Sequence, residues 1–214
     1  MTEWRSARYW RNRSPLERVA NAHIPKRFMG KTFAEYEHQG GVDIVNLLTG
    51  WLTNFETNRE SGEGLYLCGP TGTGKTHIAA ALLREIVFTK QLGGFFVTSD
   101  KYMEAVFDHM NKKDREFDDM YGDPDMIKYI YSVYDILVLD GLGMERQSDY
   151  TKKAITTMLN SRYEQKLLTI VTSEYPIDRL DTLYGKRLPS ILQECTLSIP
   201  FSGKDYRLTS NGKK

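Results

Sequence analysis

An apolar run, Gly64-Leu65-Tyr66-Leu67-Cys68, leads directly into Gly69-Pro70-Thr71-Gly72-Thr73-Gly74-Lys75-Thr76, and His77-Ile78-Ala79-Ala80-Ala81-Leu82-Leu83 follows. Strand, glycine-rich turn and helix in that order constrain the fold strongly. The strand reads as buried on both faces, as in a parallel sheet, and the helix has to return across it. The turn satisfies G-x-x-x-x-G-K-[ST] at every fixed position. Gly72 and Gly74 let the backbone curl so that successive N–H groups point at phosphate oxygens. Lys75 adds a mobile positive charge for the β- and γ-phosphates, and the Thr76 hydroxyl is placed to hold Mg²⁺. Gly69 to His77 are therefore the expected nucleotide-binding residues.

The 214 residues suffice for one well-buried α/β domain with a small appendage. Charged residues at 27% and hydrophobic ones at 40% exclude wholesale disorder. A formal net charge of +1 means that nucleic acid, if bound, is met by local patches and not by a global field. No apolar run reaches the roughly 18 residues of a membrane helix, and the N-terminus lacks a signal-peptide core. The expectation is a cytoplasmic protein with no membrane partner. Cys68 and Cys195 both lie in apolar, strand-like runs and read as buried reduced thiols. The four histidines have no zinc-ligand spacing.

Residues 1–27 carry seven basic and two acidic side chains, interleaved with Trp4, Tyr9 and Trp10. Such an arm could dock on a partner, track a phosphate backbone, or fold its aromatics back onto the core. A helical pattern covers 42–59. Beyond it strands and helices alternate, the pattern of a parallel sheet covered on both faces. Strands are expected at 64–68, 94–98, 135–140, 167–172 and 195–199, and helices at 101–111 and 148–164, with a polar insertion at 112–125.

Ile136-Leu137-Val138-Leu139-Asp140 is an apolar strand ending in a carboxylate. In a P-loop ATPase such an acid anchors magnesium beside the hydroxyl of the loop, which gives Asp140 that role with Thr76. Together with Ile24-Pro25-Lys26-Arg27-Phe28, Leu137 to Glu145, Thr172-Ser173 and Phe201 to Arg207, these motifs resemble the DnaC/DnaI type of bacterial replicative helicase loader. IstB-type transposition ATPases share much of the pattern. The likeness runs from about Ile24 to Arg207 and implies an AAA+ P-loop fold: a five-stranded parallel sheet flanked by helices. It further implies ATP and Mg²⁺ as ligands, self-association into an oligomer, and contact with single-stranded DNA and a hexameric helicase. On this reading residues 1–27 are the helicase-docking arm, 28–207 the ATPase domain and 208–214 a basic tail with no room for a large helical lid. The shortness of the arm resembles a reduced, phage-type version. In the family the insertion after the second strand faces DNA, which makes Lys112, Lys113, Arg115 and Tyr121 candidates.

The chain departs from the family at positions that serve hydrolysis. The carboxylate that usually follows the strand-ending acid is replaced by Gly141, with Glu145 the nearest substitute for orienting water. Glu174 follows Thr172-Ser173 where Asn is usual, which leaves Thr172 or Ser173 as the sensor. Ile191 replaces the second arginine of an Arg-x-x-Ser-Arg-Leu pattern, and Arg187 is the remaining candidate for an intersubunit arginine finger. Arg207 matches the second sensor arginine. The expectation is an ATP-binding loader that hydrolyses slowly alone. The alternatives are a transposition ATPase on duplex DNA and a nucleotide-gated helicase-binding protein without useful catalysis.

Overall fold

A computed structural model describes residues 7–36, 43–111 and 134–209. The expected insertion at 112–125, with its four DNA candidates, and residues 210–214 lie outside them.

The apolar runs form strands β1 (Gly64–Cys68), β2 (Gly94–Thr98), β3 (Ile136–Leu142), β4 (Leu168–Ser173) and β5 (Thr196–Pro200). They make one all-parallel sheet in the order β2-β3-β4-β1-β5. Every residue of β1 and β4 is buried, because both faces of the sheet are covered. Leu65 and Leu67 point into one core layer and Tyr66 and Cys68 into the other, the two-residue period of an extended chain. Cys195 is not in a strand. It is half-buried and ends a helix, with β5 starting one residue later.

Among the described residues the helices are α1 (Ala7–Arg11), α2 (Pro15–Ala20), α3 (Ile44–Thr53), α4 (Phe55–Ser61), α5 (Lys75–Thr89), α6 (Ser99–Asn111), α7 (Asp149–Glu164), α8 (Asp181–Tyr184), α9 (Arg187–Cys195) and α10 (Tyr206–Thr209). The helix expected at 42–59 is two helices that meet at Asn54, whose φ of −93° and ψ of 19° interrupt the pitch. Trp51 and Phe55 are both buried across that break, so the bend serves the packing of two aromatics. Helix α5 is the central one. Ile78, Leu82, Leu83 and Ile86 are fully buried on it, each contributing about 1.5–3 kcal/mol. Pro189 sits in the first turn of α9, where its missing N–H has no partner to lose.

The described part of the N-terminal stretch folds onto the core. Trp10 is 3% exposed and packs against Tyr134. Ser14 and Glu17 form a reciprocal cap at the start of α2, with Pro15 in its first turn. Arg18, also 3% exposed, donates to the carbonyls of Val87 at 2.6 Å, Phe88 at 3.0 Å and Arg13 at 2.5 Å. Further along, the Ala22 carbonyl accepts from the Phe96 N–H at 2.8 Å, so this segment covers the free edge of β2. Among the described residues no helix is long and apolar enough to cross a membrane.

Candidate nucleotide site

The site lies at the carboxyl ends of β1, β3 and β4, where parallel strands leave a crevice. Strand order matters here, because β4 is inserted between β1 and β3. The turn after β1 and the acid on β3 therefore meet across the end of β4.

Gly69 to Gly74 connect β1 to α5, and the Gly69 N–H donates to the Ser173 carbonyl on β4 at 3.2 Å. Gly72 and Gly74 hold φ of +77° and +96°, left-handed values that other residues rarely adopt. Space at both is also closed. A Cβ at Gly72 would overlap the Asp205 carboxylate, and one at Gly74 would lie 2.7 Å from the Tyr36 ring. Helix α5 begins at Lys75, so its positive end faces the crevice.

Lys75 is 8% exposed, and its ammonium donates to the carbonyls of Gly69 at 2.6 Å and Pro70 at 2.7 Å. Burial pushes its pKa down, and the nearby carboxylates of Glu174 and Asp140 oppose that shift. One oxygen of Asp140 accepts from Thr76 at 2.8 Å and from Thr172 at 2.7 Å. Burial pushes Asp140 above the ordinary aspartate range, against the two hydroxyl donors and the positive charges of Lys75 and Arg207. Past Asp140 the pairing of β3 with β4 slips, Gly141 takes φ of +79°, and its N–H donates to the Thr172 hydroxyl at 2.9 Å.

A cleft of about 400 Å³ opens over these groups, within the range of small-molecule sites. Of the expected residues, Thr71, Gly72, Gly74, Lys75, Thr76, His77, Asp140, Thr172 and Arg207 line it. Gly69, Pro70 and Thr73 support the loop from behind, with the Thr73 hydroxyl donating to the Pro70 carbonyl at 2.8 Å. His77 does not reach inward with its Nε2, which lies 2.9 Å from the Thr32 carbonyl.

Two expected residues lie away from the cleft. Glu145 does not face it: the residue is 3% exposed, and its carboxylate accepts from the Gly143 N–H at 3.0 Å, Gln147 at 2.8 Å and the Tyr184 hydroxyl. A carboxylate so occupied inside the fold has no lone pair directed at water in the cleft, which removes it as the water-orienting group. Arg187 is exposed at the start of α9 and donates to Asn160 at 2.9 Å. Ile191 is 7% exposed and belongs to the core.

Other lining residues come from segments far apart in the sequence. Tyr36 and Tyr206 are 170 positions apart, yet their rings lie 6.5 Å apart. Burial, with the neighbouring Tyr206, raises the Tyr36 hydroxyl to about 12 and keeps it neutral. The Tyr206 N–H donates to the Gly72 carbonyl at 3.0 Å, which fastens the C-terminal segment to the loop and brings Arg207 to the rim. Arg27, Phe28, Lys31 and Glu35 form the opposite wall. Oxygen donors on Thr76 and Asp140, hard and close together, suit Mg²⁺.

Comparison with known proteins agrees with this architecture. The DnaC helicase loader, in a crystal structure covering 83% of this chain and all of its own, superposes with a TM-score of 0.70 at 25% identity. DnaC of Escherichia coli K12 is 24% identical over 179 residues, covering 83% of this chain and 69% of the relative. DnaI of Bacillus subtilis 168 is 25% identical over 166 residues, or 76% of this chain and 50% of the relative. A structure of the replication initiator DnaA bound to AMPPCP and single-stranded DNA shares the fold, with a TM-score of 0.66 at 18% identity over 85% of this chain and 52% of its own. A family model described as IstB-like ATP binding protein matches residues 3–207, a span that contains the loop, the acid on β3 and both walls of the cleft, and the chain belongs to that family.

Proposed function

We propose that the protein is an ATP-dependent loader of a hexameric replicative helicase, acting on single-stranded DNA as an oligomer. The observation that carries this reading is the convergence of Lys75, Thr76, Asp140 and Thr172 at the end of one sheet, in a chain similar over most of its length to DnaC. The loop Gly69 to Gly74 cradles the phosphates, with the backbone N–H groups of Thr71 to Gly74 and the start of α5 binding them. Lys75 turns from the loop carbonyls to neutralise them. Thr76 and Asp140 are the residues to hold Mg²⁺, which when bound neutralises charge on the β- and γ-phosphates. Thr172 keeps Asp140 oriented, and Arg207 on the rim reaches the γ-phosphate from the same subunit. Arg187, on a surface away from its own cleft, is the group offered to a neighbouring subunit. With Gly141 after Asp140 and Ile191 in the core, hydrolysis by the isolated protein is slow; turnover at tens per second without DNA or helicase would contradict this.

Co-purification with candidate hexameric helicases, with and without ATP, tests the reading. ATP-dependent capture that is lost in Lys75→Ala supports it, and capture of no helicase by the intact protein refutes it. Docking through the N-terminal stretch is tested with Leu16→Asp, because Leu16 is 74% exposed whereas Trp10 and Arg18 belong to the core. Membership of the IstB-like family favours a second reading, a transposition ATPase. Preference for duplex over single-stranded DNA would select it.

A further inference from the structure

Water attacking a γ-phosphate has to be held in line, and neither Gly141 nor Glu145 can hold it. Among the described residues three carboxylates line the cleft: Glu35, Asp140 and Glu174. Glu35 is on the wall formed by the N-terminal segment and is paired with Lys31 at 3.1 Å. Asp140 is engaged by Thr76 and Thr172. Glu174 remains. It follows the last residue of β4, and the register of Cys68 with Ser173 puts it beside the start of the phosphate loop. Its side chain is exposed to the cleft and accepts from the hydroxyl of Thr71, at the tip of that loop.

We infer that Glu174 is the carboxylate that orients the attacking water in ATP hydrolysis. The inference rests on the reading of the cleft as an ATP site. The position suits the task for three reasons. Glu174, Asp140 and Lys75 line the same cleft, and both carboxylates act on the Lys75 ammonium, whose positive charge offsets the repulsion between Glu174 and a triphosphate. The Thr71 hydroxyl directs the carboxylate over the loop instead of out to solvent. Exposure leaves the second oxygen free to accept from water. In the step, the water oxygen bonds to the γ-phosphorus as the bond to the bridging oxygen breaks. The electron pair of that bond stays on ADP, and one water proton passes to Glu174 and then to solvent.

The test measures single-turnover ATP hydrolysis and, separately, affinity for a fluorescent ATP analogue in Glu174→Gln and Glu174→Asp. The expected result is a rate lowered about 100-fold in Glu174→Gln, affinity within about threefold of the parent, and partial recovery in Glu174→Asp. An unchanged or faster rate in Glu174→Gln, with tighter analogue binding, would mean that Glu174 merely repels the γ-phosphate, and it overturns the assignment while leaving the ATP site intact. Failure of the parent protein to bind the analogue removes the ATP site and this inference together.

Discussion

Asp140 shows most clearly how a single residue is prepared for a ligand at a cost to the fold. Two hydroxyls donate to the same carboxylate oxygen, yet burial outweighs them and raises its pKa. A carboxyl raised in the folded state binds more protons there than in the unfolded chain. Its contribution to stability is complete below the ordinary aspartate pKa and is lost as pH rises through the higher folded value. Asp140→Asn keeps the shape and an oxygen that accepts from Thr76 and Thr172, but cannot ionise. The variant is expected to unfold at higher urea than the parent at neutral pH, with the difference vanishing below the ordinary aspartate range. Urea titrations at several pH values check this, and a variant less stable than the parent at neutral pH would contradict it. In the same variant Mg²⁺-dependent nucleotide binding should weaken, the usual exchange of stability against function.

Among the elements, α2 differs most from what its composition suggests. The basic composition of residues 1–27 suggests a solvated arm, but Arg18 of α2 lies inside and joins α2 to the end of α5 through the Val87 and Phe88 carbonyls. Arg18→Ala would strand those acceptors and leave a cavity. The expected loss is about 2–4 kcal/mol, read from chemical denaturation, since hydrogen bonds from charged donors contribute about 1.5–3 kcal/mol each. A loss below about 0.5 kcal/mol would place Arg18 on the surface in solution. The same packing means that deleting residues 1–27 removes Trp10, Arg18, Val19, Ala22 and Ile24 from the fold. Helix α9 makes the complementary point. Pro189 is compatible with the helix only because it falls in the first turn, and the helix that results leaves Arg187 outside while Ile191 packs within.

For the whole molecule, the sheet order unites regions far apart in sequence. The turn after β1, the acid on β3, the hydroxyl on β4 and the segment around Tyr206 all converge on one cleft. A ligand that binds there only when these parts are assembled stabilises the fold by mass action. ATP with Mg²⁺ at a hundredfold its dissociation constant should add about 2.7 kcal/mol to unfolding. Lys75→Ala should remove about half or more of that gain, since loss of one charged hydrogen-bond donor weakens binding roughly 10- to 100-fold. Denaturant midpoints with and without nucleotide measure both quantities. Equal gains in the parent and in Lys75→Ala would put the ligand elsewhere.

Much of the plan is local and could be read from the chain alone. The five strands lie within one or two residues of their expected positions because each is an apolar run bounded by turn residues, and the phosphate loop is a contiguous motif in which backbone geometry follows from glycine placement. Thr76 and Asp140 were likewise identifiable, one from the motif and the other from the end of a strand. What local pattern could not specify depends on which elements become neighbours. Glu145 looks like a free acid three residues after the end of β3 until Tyr184 and Gln147 are seen to bury it, and Glu174 looks out of place until Thr71 is found beside it. The insertion of β4 between β1 and β3 determines the second of these pairings. Strand order is set by how helices of several segments cover both faces of the sheet, a sum of long-range contacts that no window of sequence contains.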